Sequence, residues 1–234
     1  MSDDDICGLC GHNSELRESH IIPRSLIRLI RDETLGNRFY ELHNRLHQRI
    51  QDGPKEYLLC DDCEQRIGRF EKYFVEAIHY GRHGTEKMQG DQALFIDNLD
   101  YRRMKLFFLS LLWRMSISSR PEFQAVCIEH NEEIIRKMLL RQEPGESSEY
   151  SVRAVIPLIS GENNEGWSST CFVSQSPPPT VYALVLGGIL YYISTSREKS
   201  PYPEDLLLNV SGRWIIPFTD FNNIPFLRDY IAGD

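Results

Sequence analysis

Four of the six cysteines fall in two close pairs, Cys7-Gly8-Leu9-Cys10 and Cys60-Asp61-Asp62-Cys63, with 49 residues between them. Each pair offers two thiolates from one tight turn, and two such turns make the tetrahedral sulfur set that zinc requires. Disulfides would use the same residues. The first residues, Met1-Ser2-Asp3-Asp4-Asp5, are acidic and lack the apolar stretch that marks export, so a reducing, cytoplasmic setting is expected. In that setting paired Cys-x-x-Cys spacings mean metal rather than a cross-link. Structural zinc on Cys7, Cys10, Cys60 and Cys63 is the resulting expectation. Cys127 and Cys171 stand alone in apolar contexts and read as small buried hydrophobes.

A second chemistry lies between the pairs, in Glu18-Ser19-His20-Ile21-Ile22-Pro23-Arg24. Histidine titrates near neutrality and can accept or release a proton there, so His20 is a candidate site residue. Glu64 directly follows the second pair, where a helix should begin, and offers a carboxylate there. Each has a plainer reading. His20 can simply pack beneath the finger, and an acid at a helix start suits the helix dipole. Arg17, Arg24 and Arg28 are the nearest candidates for contact with nucleic-acid phosphate, or else part of a solvated face. His43 and His47 fall on a polar helical pattern and read as surface residues. His79 and His83 flank a helix end, where a cation suits the dipole.

Charge limits the partners. The chain carries a formal charge of −8, which excludes a protein that coats nucleic acid over its whole surface. Residues 20–50 are the exception, with six arginines against three acids. A basic segment tied to a zinc finger could meet nucleic-acid phosphate, and equally could be an ordinary solvated loop. No run of apolar residues is long enough to span a membrane.

The elements that must position these residues form an α+β chain: an N-terminal zinc finger, central helices and a C-terminal antiparallel β-region. Residues 15–22 should form the first arm of a hairpin that Pro23 ends, followed by helical patterns at 24–31 and 39–50. Leu58-Leu59 reads as the returning strand, and residues 64–79 as a helix buried through Ile67, Phe70, Phe74, Val75 and Ile78. Residues 100–116 read as a helix apolar on nearly all sides, and 121–141 as the next, with Pro121 at its start. From residue 152 the period shortens to that of strands, at 152–159, 170–174, 181–186 and 189–195, with Gly187-Gly188 as a hairpin turn. Residues 206–210 and 213–217 are further strand candidates. The resulting division is a finger with its helical insertion at 1–95, a helical pair at 96–142, and a β-rich region at 150–234 with room for a protein partner.

A Cys-x-x-Cys knuckle, a polar hairpin and a second knuckle at a helix start follow the order of a treble-clef zinc finger. Together with Ser19-His20-Ile21-Ile22-Pro23 and Leu58-Leu59-Cys60-Asp61-Asp62-Cys63, this order resembles the HNH endonucleases, the ββα-metal or His-Me finger group, over residues 7 to about 75. The resemblance implies structural zinc, His20 as general base, a divalent cation (Mg²⁺ or Mn²⁺) beside it that Glu64 could hold, DNA as substrate and a setting in bacterial defence against foreign DNA. Three positions depart from the pattern. Ser19 stands where an acid or histidine is usual, the middle asparagine is missing from Pro54-Lys55-Glu56-Tyr57, and Glu64 replaces His or Asn. The alternative is a non-catalytic zinc module that scaffolds protein or nucleic-acid binding.

Overall fold

The computed structural model describes residues 6–26, 53–159, 161–163, 172–174 and 181–224. Arg28, His43, His47 and Cys171 lie outside the described residues, as does nearly all of the basic 20–50 segment.

The chain opens with the first knuckle, then β1 (Leu16–His20), which pairs antiparallel with β2 (Lys55–Cys60). The register sets Leu16 opposite Cys60, with a bulge between Arg17 and Glu18. Helix α1 (Asp61–Ile78) starts within the second knuckle and buries the expected stripe, with Tyr73 and Ala77 added. Residues 24–26 are helical.

Helix α2 (Tyr101–Ile117) begins at Asp100, whose side chain accepts the Arg103 backbone N–H at 3.0 Å, an N-cap. It is the core of the molecule: every residue from Met104 to Met115 is buried. Its Phe107 stacks on Phe74 of α1 at 4.1 Å between ring centroids, and its Phe108 meets Tyr191 of the sheet at 4.9 Å. α2 is therefore covered by α1 on one side and the sheet on another, which explains why its sequence shows no polar stripe.

The predicted helix at 121–141 is interrupted. A 3₁₀ turn at Pro121–Phe123 precedes an irregular stretch, and α3 covers only Asn131–Arg141. The Tyr182 hydroxyl donates to the Cys127 carbonyl at 2.7 Å and accepts its N–H at 3.2 Å, which holds the connection against the sheet. Glu129 adopts a left-handed φ of 46°, which a continuous helix does not allow. Cys127 itself is exposed, contrary to expectation, while its neighbours Val126 and Ile128 take the buried positions.

The sheet contains β3 (Glu86–Gln89), β4 (Ala93–Asp97), β5 (Val152–Ile159), β6 (Glu162–Asn163), β7 (Phe172–Ser174), β8 (Val181–Leu186), β9 (Ile189–Ser194) and β10 (Trp214–Asp220). Its order is β3-β4-β10-β5-β9-β8-β7, with β6 paired to β5. Pairing is antiparallel throughout except between β5 and β10. The hairpin β3–β4 is absent from the sequence reading, since all four residues of β3 are exposed and show no apolar alternation. Residues 206–210 form no strand; a 3₁₀ turn (Glu204–Leu206) leads to Asn209, whose amide donates to the carbonyls of Glu204, Leu207 and Arg213 and folds the segment back.

His79 also differs from expectation. Its ring packs against Gly187, where an added Cβ would lie 2.5 Å from Cε1, and its Nε2 has no hydrogen-bond partner among the described residues. Burial, assisted by the nearby Lys87 ammonium, pushes its pKa down to about 4. The cation at the end of α1 is Lys87, whose Nζ donates to the Ile78 carbonyl at 2.7 Å. An imidazole kept neutral by folding is protonated first in the unfolded chain. Stability should therefore fall as pH drops from about 6.5 toward about 4, by up to roughly 3 kcal/mol. Urea unfolding across that range should show a clearly shallower slope in His79→Phe.

Candidate metal centre and its neighbourhood

The four sulfurs of Cys7, Cys10, Cys60 and Cys63 lie within 4.8 Å of one another. Cys10 Sγ and Cys60 Sγ are 3.8 Å apart. A tetrahedron with Zn–S bonds of about 2.3 Å has sulfur–sulfur edges of about 3.8 Å, so these residues fit a zinc ion without rearrangement. The cysteines are free thiols rather than disulfides.

Local backbone geometry builds this cluster. In the first knuckle Gly11 N–H donates to Cys7 O at 2.8 Å, with Gly11 at φ 74°, a turn that a side chain would strain. Gly8 N–H donates to Leu58 O at 2.9 Å and ties that knuckle to β2. Cys60 N–H donates to Cys7 Sγ at 3.3 Å, which joins the two knuckles directly. Burial acts to raise the Cys7 pKa, but N–H groups of Cys10, Cys60 and Leu9 outweigh it and bring the thiol down to about 7. Burial and the neighbouring sulfurs push Cys63 well up. Cys10 is also raised, by burial first. One sulfur is thus prepared as a thiolate, and a bound cation would draw the others into that form.

β1 lies across the first turn of α1. Ser19 is fully buried there and its Oγ donates to Glu64 Oε2 at 2.7 Å. Strand alternation turns Glu18 to the other face, where it meets Lys55 at 3.3 Å. Among the described residues the cysteines form the only group of three or more metal-binding side chains within ligand distance of one another. Glu64 therefore contributes a single carboxylate. Arg17 pairs with Asp61 at 3.1 Å and lies 3.8 Å from Glu15, while Arg24 is exposed at the start of the helical turn after Pro23.

Arg114 is the residue that sequence reasoning missed. Its side chain is 1% exposed, yet Nη1 donates to the His20 carbonyl at 2.6 Å. Nη2 lies 2.5 Å from Glu71 Oε1, close enough for an ion pair though outside hydrogen-bond geometry. The strand carrying His20, helix α1 and helix α2 meet at this one guanidinium. The signal was a cation in the last turn of a helix, following the apolar run Leu106–Trp113 that only Ser110 interrupts.

No known protein family, curated protein or solved structure matches this chain. Among the described residues no helix is long and apolar enough to cross a membrane.

Two outcomes follow. Elemental analysis should find one zinc ion per chain in the purified protein and little in Cys63→Ser; folding of small zinc domains is linked to roughly 10 kcal/mol or more of apparent metal-binding energy, so chelation should also lower the melting temperature. Arg114→Met leaves the partly buried Glu71 without its cation and should cost about 3 kcal/mol in urea unfolding, the low end for a broken buried pair, with zinc content unchanged. Adding Glu71→Gln should return part of that loss.

Proposed function

We propose that the chain is a metal-dependent endonuclease of the HNH type, built on a zinc-stabilised ββα finger and acting on DNA phosphodiesters. The observation that carries this reading is the 2.7 Å contact between Ser19 and Glu64. It sets the residue next to His20 against the first helical turn after the second knuckle, the arrangement that the resemblance requires.

In this reading His20 takes the proton from the attacking water. Arg114 holds the His20 backbone through its carbonyl, so the strand cannot drift from α1 when substrate enters. Ser19 fixes one oxygen of Glu64 and leaves the other to face a cation. Mg²⁺ is commonly held by one or two carboxylates together with water and substrate phosphate, so a single Glu64 fits that mode. When bound, the ion would neutralise charge on the scissile phosphate.

A second reading draws on the same contact. Ser19 satisfies Glu64 from within the protein, and Arg17 is paired with Asp61. A finger so closed could serve as a zinc scaffold for protein or nucleic acid.

The test is plasmid nicking by purified protein with Mg²⁺ or Mn²⁺. Cleavage should fall at least 100-fold in His20→Ala, the scale of lost general-base catalysis. It should fall with Glu64→Gln as well. Equal activity in wild type and His20→Ala, or no cleavage by wild type, rejects the nuclease and leaves the scaffold.

A further inference from the structure

Beyond Glu64, α1 turns basic. Lys72 lies about 12 Å further along the helix axis and roughly 80° around it. Where α1 meets the start of α2, Arg69, Lys72, Arg102 and Arg103 line a hollow of about 420 Å³, with Tyr73 and His83 completing its wall. All four cations are exposed.

Two carboxylates also reach the hollow, and both already have partners. Asp100 lies 3.2 Å from Arg103 and caps α2. Glu76 is 2.8 Å from His83 Nε2 and 3.3 Å from Arg82. Among the described residues, Arg69, Lys72 and Arg102 have no carboxylate within ion-pair distance. In a chain of net charge −8, that excess on one concave surface goes against the overall sign.

The wall is preorganised. The Tyr73 hydroxyl accepts the Asp100 N–H at 2.6 Å, Arg103 lies 5.5 Å over its ring, and the His83 ring lies 5.2 Å from it. His83 holds a left-handed φ of 62°, a conformation that costs a non-glycine residue about 1 kcal/mol or more. Its contacts with Glu76 and Tyr73 keep it there. Arg102 donates Nε–H to the Gln142 carbonyl at 2.7 Å, which anchors that guanidinium beside the hollow. Like charges fixed around one hollow repel one another, and an anionic ligand converts that repulsion into affinity.

We propose that the hollow between α1 and α2 binds the sugar–phosphate backbone of a nucleic-acid strand. The inference rests on the nucleic-acid reading above and names a contact surface away from the hairpin. Lys72 lies about 12 Å along the helix axis from Glu64, so a strand that crosses the hollow can continue along α1 toward its first turn.

The experiment measures fluorescence anisotropy of a labelled 20-nucleotide single strand with no added divalent ion, so that binding is read without cleavage. Arg69→Glu with Arg102→Glu should weaken binding at least tenfold and reduce the salt slope by about 1.4, as expected when two single-strand phosphate contacts are lost. Lys137→Glu with Arg213→Glu makes the same change in net charge at residues that do not line the hollow and should weaken binding less than threefold. Zinc content and melting temperature establish that both variants fold. Equal losses in the two variants, no loss in the first, or no binding by wild type overturn the proposal. His20-dependent cleavage with unchanged affinity in the first variant rejects the hollow alone; binding through the hollow without cleavage rejects the nuclease alone.

Discussion

The structure depends on four sulfurs drawn to one point. Cys7 and Cys10 come from the start of the chain, Cys60 and Cys63 from the far side of a long insertion, and closing that loop carries an entropic cost that grows with its length. A zinc ion held by these sulfurs would offset that cost. It would also replace what α1 lacks, since its N-cap, Cys60, makes no side-chain capping bond. The helix start is held instead by the knuckle, with Asp61, Asp62 and Glu64 set against the dipole. Without a cation the same cluster is unfavourable, because crowded sulfurs in a partly buried site resist sharing negative charge.

Three arginines fix the finger onto the helices, and all three use main-chain acceptors. Arg114 of α2 donates to His20, Arg136 of α3 to Leu9 at 2.5 Å, and Arg66 of α1 to Leu140 at 2.9 Å. A carbonyl acceptor reads the path of the backbone and not the side chain, so these contacts constrain where the hairpin (through His20), the first knuckle (through Leu9) and α1 (through Leu140) lie. Arg114 does so from within the core, where an ion pair with Glu71 offsets its desolvation. The finger and the body of the molecule are thus one packed unit around α2.

What could be read in the sequence follows from how local each signal is. The cysteine spacing, the stripe of α1, the buried length of α2 and the Gly187-Gly188 hairpin are each set by neighbours within a few residues, and each reappears in the fold. The failures have distant causes. The break before α3 depends on a tyrosine some 55 positions further on, and β3 pairs with β4 while showing no apolar face of its own. His79 packs against Gly187 in the β8–β9 turn, more than a hundred positions away, so a residue that reads as a helix-end cation becomes a half-buried neutral ring. The candidate site is divided in the same way. Its zinc ligands are written in spacing, whereas the partners of His20 and Glu64 come from strand register and from α2.

The serine before His20 is the departure that matters most for chemistry, and its setting gives it a physical meaning. A second carboxylate at that buried position would face Glu64 at hydrogen-bond distance, and two like charges so close cannot both be ionised without a cation between them. A hydroxyl removes the conflict. It donates one hydrogen bond, keeps Glu64 in place and leaves the hairpin stable with no second metal present. A cation would then be held weakly by the protein alone and more firmly once substrate phosphate added its own oxygens. Such a site would assemble on its substrate, and much of its binding energy would have to come from cations elsewhere on the surface. Arg17, paired with Asp61 and near Glu15, is a poor source of it. The exposed cations of α1 and α2 are better placed, because no neighbouring acid has claimed most of them.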